Sequence, residues 1–149
     1  MTEEINPVDI RLSAMNYLAR REHTLRELRQ KLSRRYDDME MIETQIQCLA
    51  QENLQSDERF ALSYLRSRAG RGFGPLRIRQ EMRSRGLSDN EIAAAFTEEA
   101  LNWRAIATQA YEKKYGLREP EDLKDKSRRS RFMQHRGFTS EHYRHLDRR

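Results

Sequence analysis

The chain has 149 residues, of which 36% are hydrophobic and 36% charged, with a net charge of +5. That is lean for one large globular core and suits several small helical cores with much exposed surface. A single cysteine, Cys48, excludes an internal disulfide and a cysteine-rich zinc site, and no apolar run reaches the ~18 residues of a membrane span.

The mean hydropathy is −1.04 and the isoelectric point about 9.6. Lysine occurs only at positions 31, 113, 114, 124 and 126, so the basic residues are overwhelmingly arginine. Arginine suits bidentate contacts to phosphate or carboxylate and stacking on rings. The excess charge implies a negatively charged partner. The first residues, Met1-Thr2-Glu3-Glu4, are acidic and carry no apolar signal region, so the expected compartment is the cytoplasm.

The spacing predicts a first helix over Pro7–Arg21, with Ile10, Ala14, Tyr17 and Leu18 as its apolar stripe. Thr24 and Glu27 form a capping box that opens the second helix, which buries Leu25, Leu28 and Leu32. Asp37 and Asp38 suit the start of a third, carrying Ile42, Ile46 and Leu49. Helix four, over Ser56–Ala69, carries Phe60, Ala61, Tyr64 and Leu65; a turn over Gly70–Gly74 follows, then a helix from Pro75 to Arg85. Ser88 and Glu91 make a second capping box, opening a helix with Ile92 and Phe96. Trp103–Tyr115 and Leu123–Arg136 read as helices stopped by Gly116 and Gly137, and Thr139 can cap a last short one with Tyr143 and Leu146.

The pattern repeats. Ala14-Tyr17-Leu18 matches Ala61-Tyr64-Leu65 at an offset of 47, and Leu28, Leu32, Ile42 and Ile46 match Ile78, Met82, Ile92 and Phe96 at 50. Arg85-Gly86-Leu87-Ser88 matches Arg136-Gly137-Phe138-Thr139 at 51. These offsets predict an all-α protein: an elongated array of three tandem three-helix repeats, over 1–54, 55–100 and 101–149.

Catalytic chemistry finds no footing. Cys48 has no recognisable base partner, no serine sits in a nucleophile elbow, and paired acids such as Glu98-Glu99 fit an ordinary polar helix face. No enzyme activity and no cofactor are expected. His142 and His145 have a metal-compatible spacing but no second ligand pair, so they read as part of a solvated basic tail, and His23 and His135 as turn or surface residues. Arg71-Gly72-Phe73-Gly74 lacks the rest of a nucleotide loop, although its backbone could meet an external phosphate at a helix start.

The distinctive stretch is Arg66–Arg85, where seven arginines accompany one acid, Glu81. From Lys124 onward a second basic segment has nine Lys/Arg against three acids. The candidate binding residues are therefore Arg66, Arg68, Arg71, Arg77, Arg79 and Arg83, with Arg128, Arg129 and Arg131. They admit three readings, a solvated face, a DNA-backbone surface, or a docking face for an acidic protein or nucleoprotein, and two such clusters weigh against the first.

Arg66-Ser67-Arg68, Arg71-Gly72-Phe73-Gly74-Pro75, Arg77-Ile78-Arg79-Gln80-Glu81-Met82 and Arg85-Gly86-Leu87-Ser88 together resemble the signature of the RecX family of bacterial recombinase regulators. Arg20-Arg21-Glu22-His23-Thr24 with Glu27-Leu28-Arg29 is similar to its first repeat, Asp57-Glu58-Arg59-Phe60-Ala61 to the start of its second, and Lys113-Lys114-Tyr115 with Arg131-Phe132-Met133 to its third. Glu52-Asn53-Leu54 and Tyr36-Asp37 depart from glycine-containing positions of that pattern. The resemblance implies binding to the RecA recombinase, mainly as its filament on single-stranded DNA. It also implies restraint of filament growth, ATP hydrolysis, strand exchange and the co-protease activity behind the SOS response. The alternative from the residues alone is a DNA-binding protein of helix–turn–helix-like modules, reading bases with Gln80, Arg77 and Arg83.

Overall fold

Most helices begin where a short polar side chain can accept an otherwise unpaired backbone N–H. Asn6, Thr24, Asp38, Ser56, Ser88, Asn102 and Asp122 all do this. In the computed structural model, which describes residues 4–148, they open helices α1 (Pro7–Arg20), α2 (Leu25–Ser33), α3 (Met39–Gln51), α4 (Asp57–Gly70), α6 (Asp89–Glu99), α7 (Trp103–Tyr115) and α8 (Leu123–Arg136). Helix α5 (Pro75–Ser84) starts on proline instead, and α9 (Ser140–Tyr143) runs into a 3-10 turn at Arg144–Arg148. Among the described residues there is no strand, and no helix is long and apolar enough to cross a membrane. The expected capping boxes at Thr24/Glu27 and Ser88/Glu91 both form.

The helices bury their apolar stripes in three clusters. Ile10, Ala14, Leu28, Leu32, Ile42, Ile46 and Leu49, all at 0% exposure, make the first between α1, α2 and α3. Phe60, Leu65, Ile78, Met82 and Ile92 centre the second between α4, α5 and α6. Tyr111, Met133, Phe138, Tyr143 and Leu146 centre the third. Trp103 and Ile106 pack against both the second and the third clusters, joining them through apolar surface. Phe96 is half-buried, and its ring stacks on Trp103 at this junction, 5.6 Å between centroids. The accessible surface is 9772 Å². A compact monomer of 17.9 kDa would expose about 8000 Å², so the array is open, with grooves between repeats.

Asn53 ends α3 with φ of 60°. Asparagine enters this left-handed region more readily than most residues, so it serves where a glycine is usual. The turn at Tyr36-Asp37 contains no positive φ, so its missing glycine has no backbone consequence.

The first and second repeats meet through polar contacts. The Thr24 hydroxyl donates to the Arg85 carbonyl at 2.7 Å, Gln55 donates to the His23 carbonyl at 3.1 Å, and the Leu25 N–H donates to Asp57 at 3.0 Å. Glu27 caps Thr24 and also receives Arg21 and, across the junction, Arg85 at 2.8 Å. Burial disfavours its charge, but these donors outweigh burial and hold its carboxyl below the usual 4.5. A depressed folded pKa stabilises above the unfolded pKa, and that stability is lost as pH falls through the folded value. Glu27→Gln is therefore expected to cost about 1–2 kcal/mol at pH 7. In urea melts the gap from the parent should close progressively below about pH 4.5; a gap independent of pH would mean that the charge is not what matters.

His23 lies in the turn between α1 and α2, as expected, but it is 1% exposed and packs beside Tyr17. Its Nε2 lies 2.8 Å from Lys31 Nζ and its Nδ1 3.0 Å from the Arg21 carbonyl. A neutral ring satisfies both, accepting from lysine and donating to the carbonyl. Burial accordingly lowers its pKa.

Candidate functional site

The turn between α4 and α5 places Phe73 among three guanidiniums. The guanidinium carbons of Arg68, Arg77 and Arg136 lie 3.8, 4.5 and 4.5 Å from the ring centroid. Arg68 also donates twice to Glu81, at 2.9 Å each, while Arg77 Nε donates to it at 3.3 Å and the Tyr64 hydroxyl at 3.1 Å. Burial works against the Glu81 carboxylate, but the Arg68 bonds prevail and lower its pKa. One carboxylate and one ring thus hold several cations in fixed directions, and the cluster stays net positive. Such preorientation reduces the side-chain entropy lost when an anionic partner binds.

The other arginines of the stretch are less free than their local sequence suggests. Arg66 pairs with Glu99 at 2.6 Å, Arg83 with Asp89 at 2.8 Å and Arg85 with Glu27 at 2.8 Å. Arg79 lies over Phe96, 4.2 Å from its centroid. Arg77, a candidate binding residue, is half-buried on Phe73 and donates to the His135 carbonyl at 3.3 Å. Arg77→Ala is thus not the clean surface change that its position on α5 implies.

In the second basic segment, Arg128 and Arg131 are exposed on α8. Arg129 is not available to a partner: it is 4% exposed, bonds Tyr111 Oη at 3.0 Å and the Arg118 carbonyl at 2.7 Å, and pairs with Asp125 at 3.2 Å. It pins the segment between α7 and α8 to the third core. The start of α5 is closed to an external phosphate as well. The Gly74 N–H donates to the Arg136 carbonyl at 2.7 Å and the Leu76 N–H to the Gly137 carbonyl at 3.1 Å. The final segment is not a solvated tail, because Tyr143 and Leu146 are 3% and 1% exposed and Tyr111 donates to Asp147. His142 receives the Thr139 N–H at 3.0 Å, capping α9. No group of three or more His, Cys, Asp or Glu able to hold a metal occurs among the described residues.

Two grooves flank the turn. One, of about 480 Å³ between the first and second repeats, is lined by Arg21, Arg68, Arg71 and Arg85 with Glu22 and Glu81. The other, of about 320 Å³ between the second and third, carries Arg71, Lys113, Lys114 and Arg136 and no acid. Arg71 belongs to both, so the cations form one track across both junctions. Arg68 and Arg71 were legible as members from the arginine-rich stretch. Arg21, Lys113, Lys114 and Arg136 were not, because they join it only through contacts between repeats. The pairing of a Lys-Lys doublet with a basic turn in the preceding repeat was the one available signal.

Family models for the first, second and third three-helix domains of RecX match residues 11–43, 56–95 and 104–144. The chain belongs to the RecX family. The regulatory protein RecX of Halorhodospira halophila is 42% identical over 135 residues, covering 91% of this chain and 84% of that protein. The regulatory protein RecX of Pseudomonas putida strain GB-1 is 40% identical over 132 residues, covering 89% and 85%. The crystal structure of RecX from Lactobacillus salivarius aligns with a TM-score of 0.74 at 18% identity, over 95% of this chain and 94% of that one. It shares the all-helical RecX fold. The relatives' name places the chain among regulatory proteins.

Proposed function

We propose that this RecX-family chain binds the RecA recombinase, chiefly as its filament on single-stranded DNA, and restrains filament growth, ATP hydrolysis and SOS co-protease activity in the cytoplasm. The observation that carries this reading is the cationic track through Arg21, Arg85, Arg68, Arg71, Arg136, Lys113 and Lys114, which spans both repeat junctions. A surface of that kind suits a long polyanionic groove better than a small ligand. In this reading segments 1–54, 55–100 and 101–149 act as successive repeats along the filament, and Arg66, Arg79, Arg83, Arg128 and Arg131 border the contact. Sequence-specific reading of DNA by α5 is less well supported, because Arg77 is half-buried on Phe73 and donates to Glu81 and to the His135 carbonyl.

Arg71 is exposed, lines both grooves and has no ion-pair partner among the described residues. Arg71→Glu, checked for folding by circular dichroism, should weaken inhibition of RecA's DNA-dependent ATP hydrolysis by about tenfold or more. The parent should be retained on RecA–DNA filaments and much less on naked single strands of equal length. Equal retention on both would favour direct DNA binding instead, with a salt dependence that flattens by about 0.7 per phosphate contact removed.

A further inference from the structure

The groove between the second and third repeats has a different character from the rest of the track. Its floor is apolar, formed by Ala69, Ile106, Ala110 and Phe132. Its rim is cationic, formed by Arg71, Lys113, Lys114 and Arg136, and none of these four makes an ion pair with a described residue. Arg136 is held in place between Phe73 and Phe132, 4.5 and 5.2 Å from their centroids, with Nη1 donating to the Arg71 carbonyl at 3.3 Å. A volume of about 320 Å³ is enough for one large side chain.

We infer that this groove is the anchor site for a protein partner's segment in which an aromatic side chain is flanked by carboxylates. The aromatic side chain would fill the floor, and the flanking carboxylates would meet the four cations. This deepens the proposed function, resting on it only in taking the partner to be a protein.

Charge and polarity favour this occupant over a nucleobase. The single side-chain acceptor in the lining is Gln109, so the amino and ring N–H groups of a base would find few partners. The Phe132 ring is also poorly placed as a stacking platform. Arg136 and Lys114 lie within 5.2 and 5.6 Å of its centroid, and Tyr115 meets it edge-on at 5.7 Å. An aromatic side chain needs no hydrogen bonds there, and carboxylates pair with guanidinium and ammonium groups more directly than base edges do.

The test uses the full chain and two acetylated, amidated peptides, Asp-Glu-Phe-Asp-Glu and Asp-Glu-Ser-Asp-Glu, with the oligonucleotide dT5 as a third probe. Methyl resonances of Ala69, Ile106 and Ala110 are followed by NMR. The phenylalanine peptide should shift them and saturate near or below about 1 mM, and the serine peptide should bind about tenfold more weakly. Lys113 and Lys114 are exposed, so Lys113→Glu with Lys114→Glu should keep the fold and weaken the phenylalanine peptide at least about tenfold. A second variant blocks the floor by volume. A Cβ at Gly70 would meet nothing within 4 Å, so Gly70→Trp can be built at the groove edge and should abolish the methyl shifts, while Gly70→Ala leaves them intact. Equal shifts with both peptides, or stronger shifts with dT5, overturn the inference. None of these measurements contains RecA, so their failure is distinct from a failure of the proposed function, which the filament assay reads.

Discussion

Gly137→Ala is expected to cost about 3–5 kcal/mol and to release the third repeat from the second. Gly137 has φ of 101°, and a Cβ there would lie 2.5 Å from Arg77 Cβ and 2.7 Å from its backbone nitrogen. The left-handed conformation alone costs an alanine about 1–2 kcal/mol. The steric conflict cannot relax without separating α5 from the α8 terminus, because backbone atoms face each other. A Cβ on Gly74 would sit only 2.4 Å from the Gly137 carbonyl carbon, so both sides of the contact exclude side chains. Separation breaks the bonds from Gly74 and Leu76 to the Arg136 and Gly137 carbonyls, worth about 1 kcal/mol each. Trp103 fluorescence during urea unfolding reports the shared apolar contact directly. Gly70→Ala is the control, because its Cβ meets nothing; it should be neutral or stabilising by up to about 1 kcal/mol. A Gly137→Ala protein as stable as the parent would mean that the junction is looser than the close glycine contact requires. A released third repeat would also divide the cationic track at Arg71.

Leu28→Ala is expected to destabilise by about 3–4 kcal/mol, because the first core has few atoms to close a cavity. All seven residues of its buried cluster are at 0% exposure, and Leu28 sits among Ile10, Leu32, Ile42 and Ile46. The loss should be local. The first repeat meets the second through hydrogen bonds and ion pairs such as Thr24 to Arg85 and Arg59 to Glu22, whereas the second and third share Trp103 and Ile106. Ion pairs with one side chain in solvent typically couple by less than about 1 kcal/mol each and hydrogen bonds by about 1 kcal/mol each, and no described apolar residue is shared by the first two clusters. In this variant helical circular dichroism should therefore begin to fall at lower urea than Trp103 fluorescence, breaking the coincidence of probes that marks two-state unfolding. Coincident transitions would show that the polar junction transmits more stability than its contacts suggest.

The cationic site was only half visible in the sequence. The run Arg66–Arg85 looks almost free of acids, yet the fold brings Glu27, Asp89 and Glu99 to its arginines. Arg128 and Arg131 remain on the surface of α8, while Arg129 turns inward to Tyr111 and Asp125. Counting charge along a chain cannot separate neighbours on a helix that differ by 100° of rotation. Nor can it show that Arg71 and Arg136 line one groove from positions 65 residues apart.

What the sequence determined by itself was local. The capping boxes at Thr24 and Ser88, Pro75 at a helix start, and the stripe Leu28, Leu32, Ile42 and Ile46 repeated at Ile78, Met82, Ile92 and Phe96 each involve residues within a few turns of one another. Helical periodicity and caps act over that range, so the all-helical repeats could be read directly. The junctions were decided by tertiary structure alone. Whether the Gly74 N–H stays open to a phosphate or donates to the end of α8, whether His23 is exposed or buried against Tyr17, and which arginines stay unpaired for a partner all depend on groups far away in the chain. Burial and pairing set those outcomes, and both follow from how one repeat docks on the next.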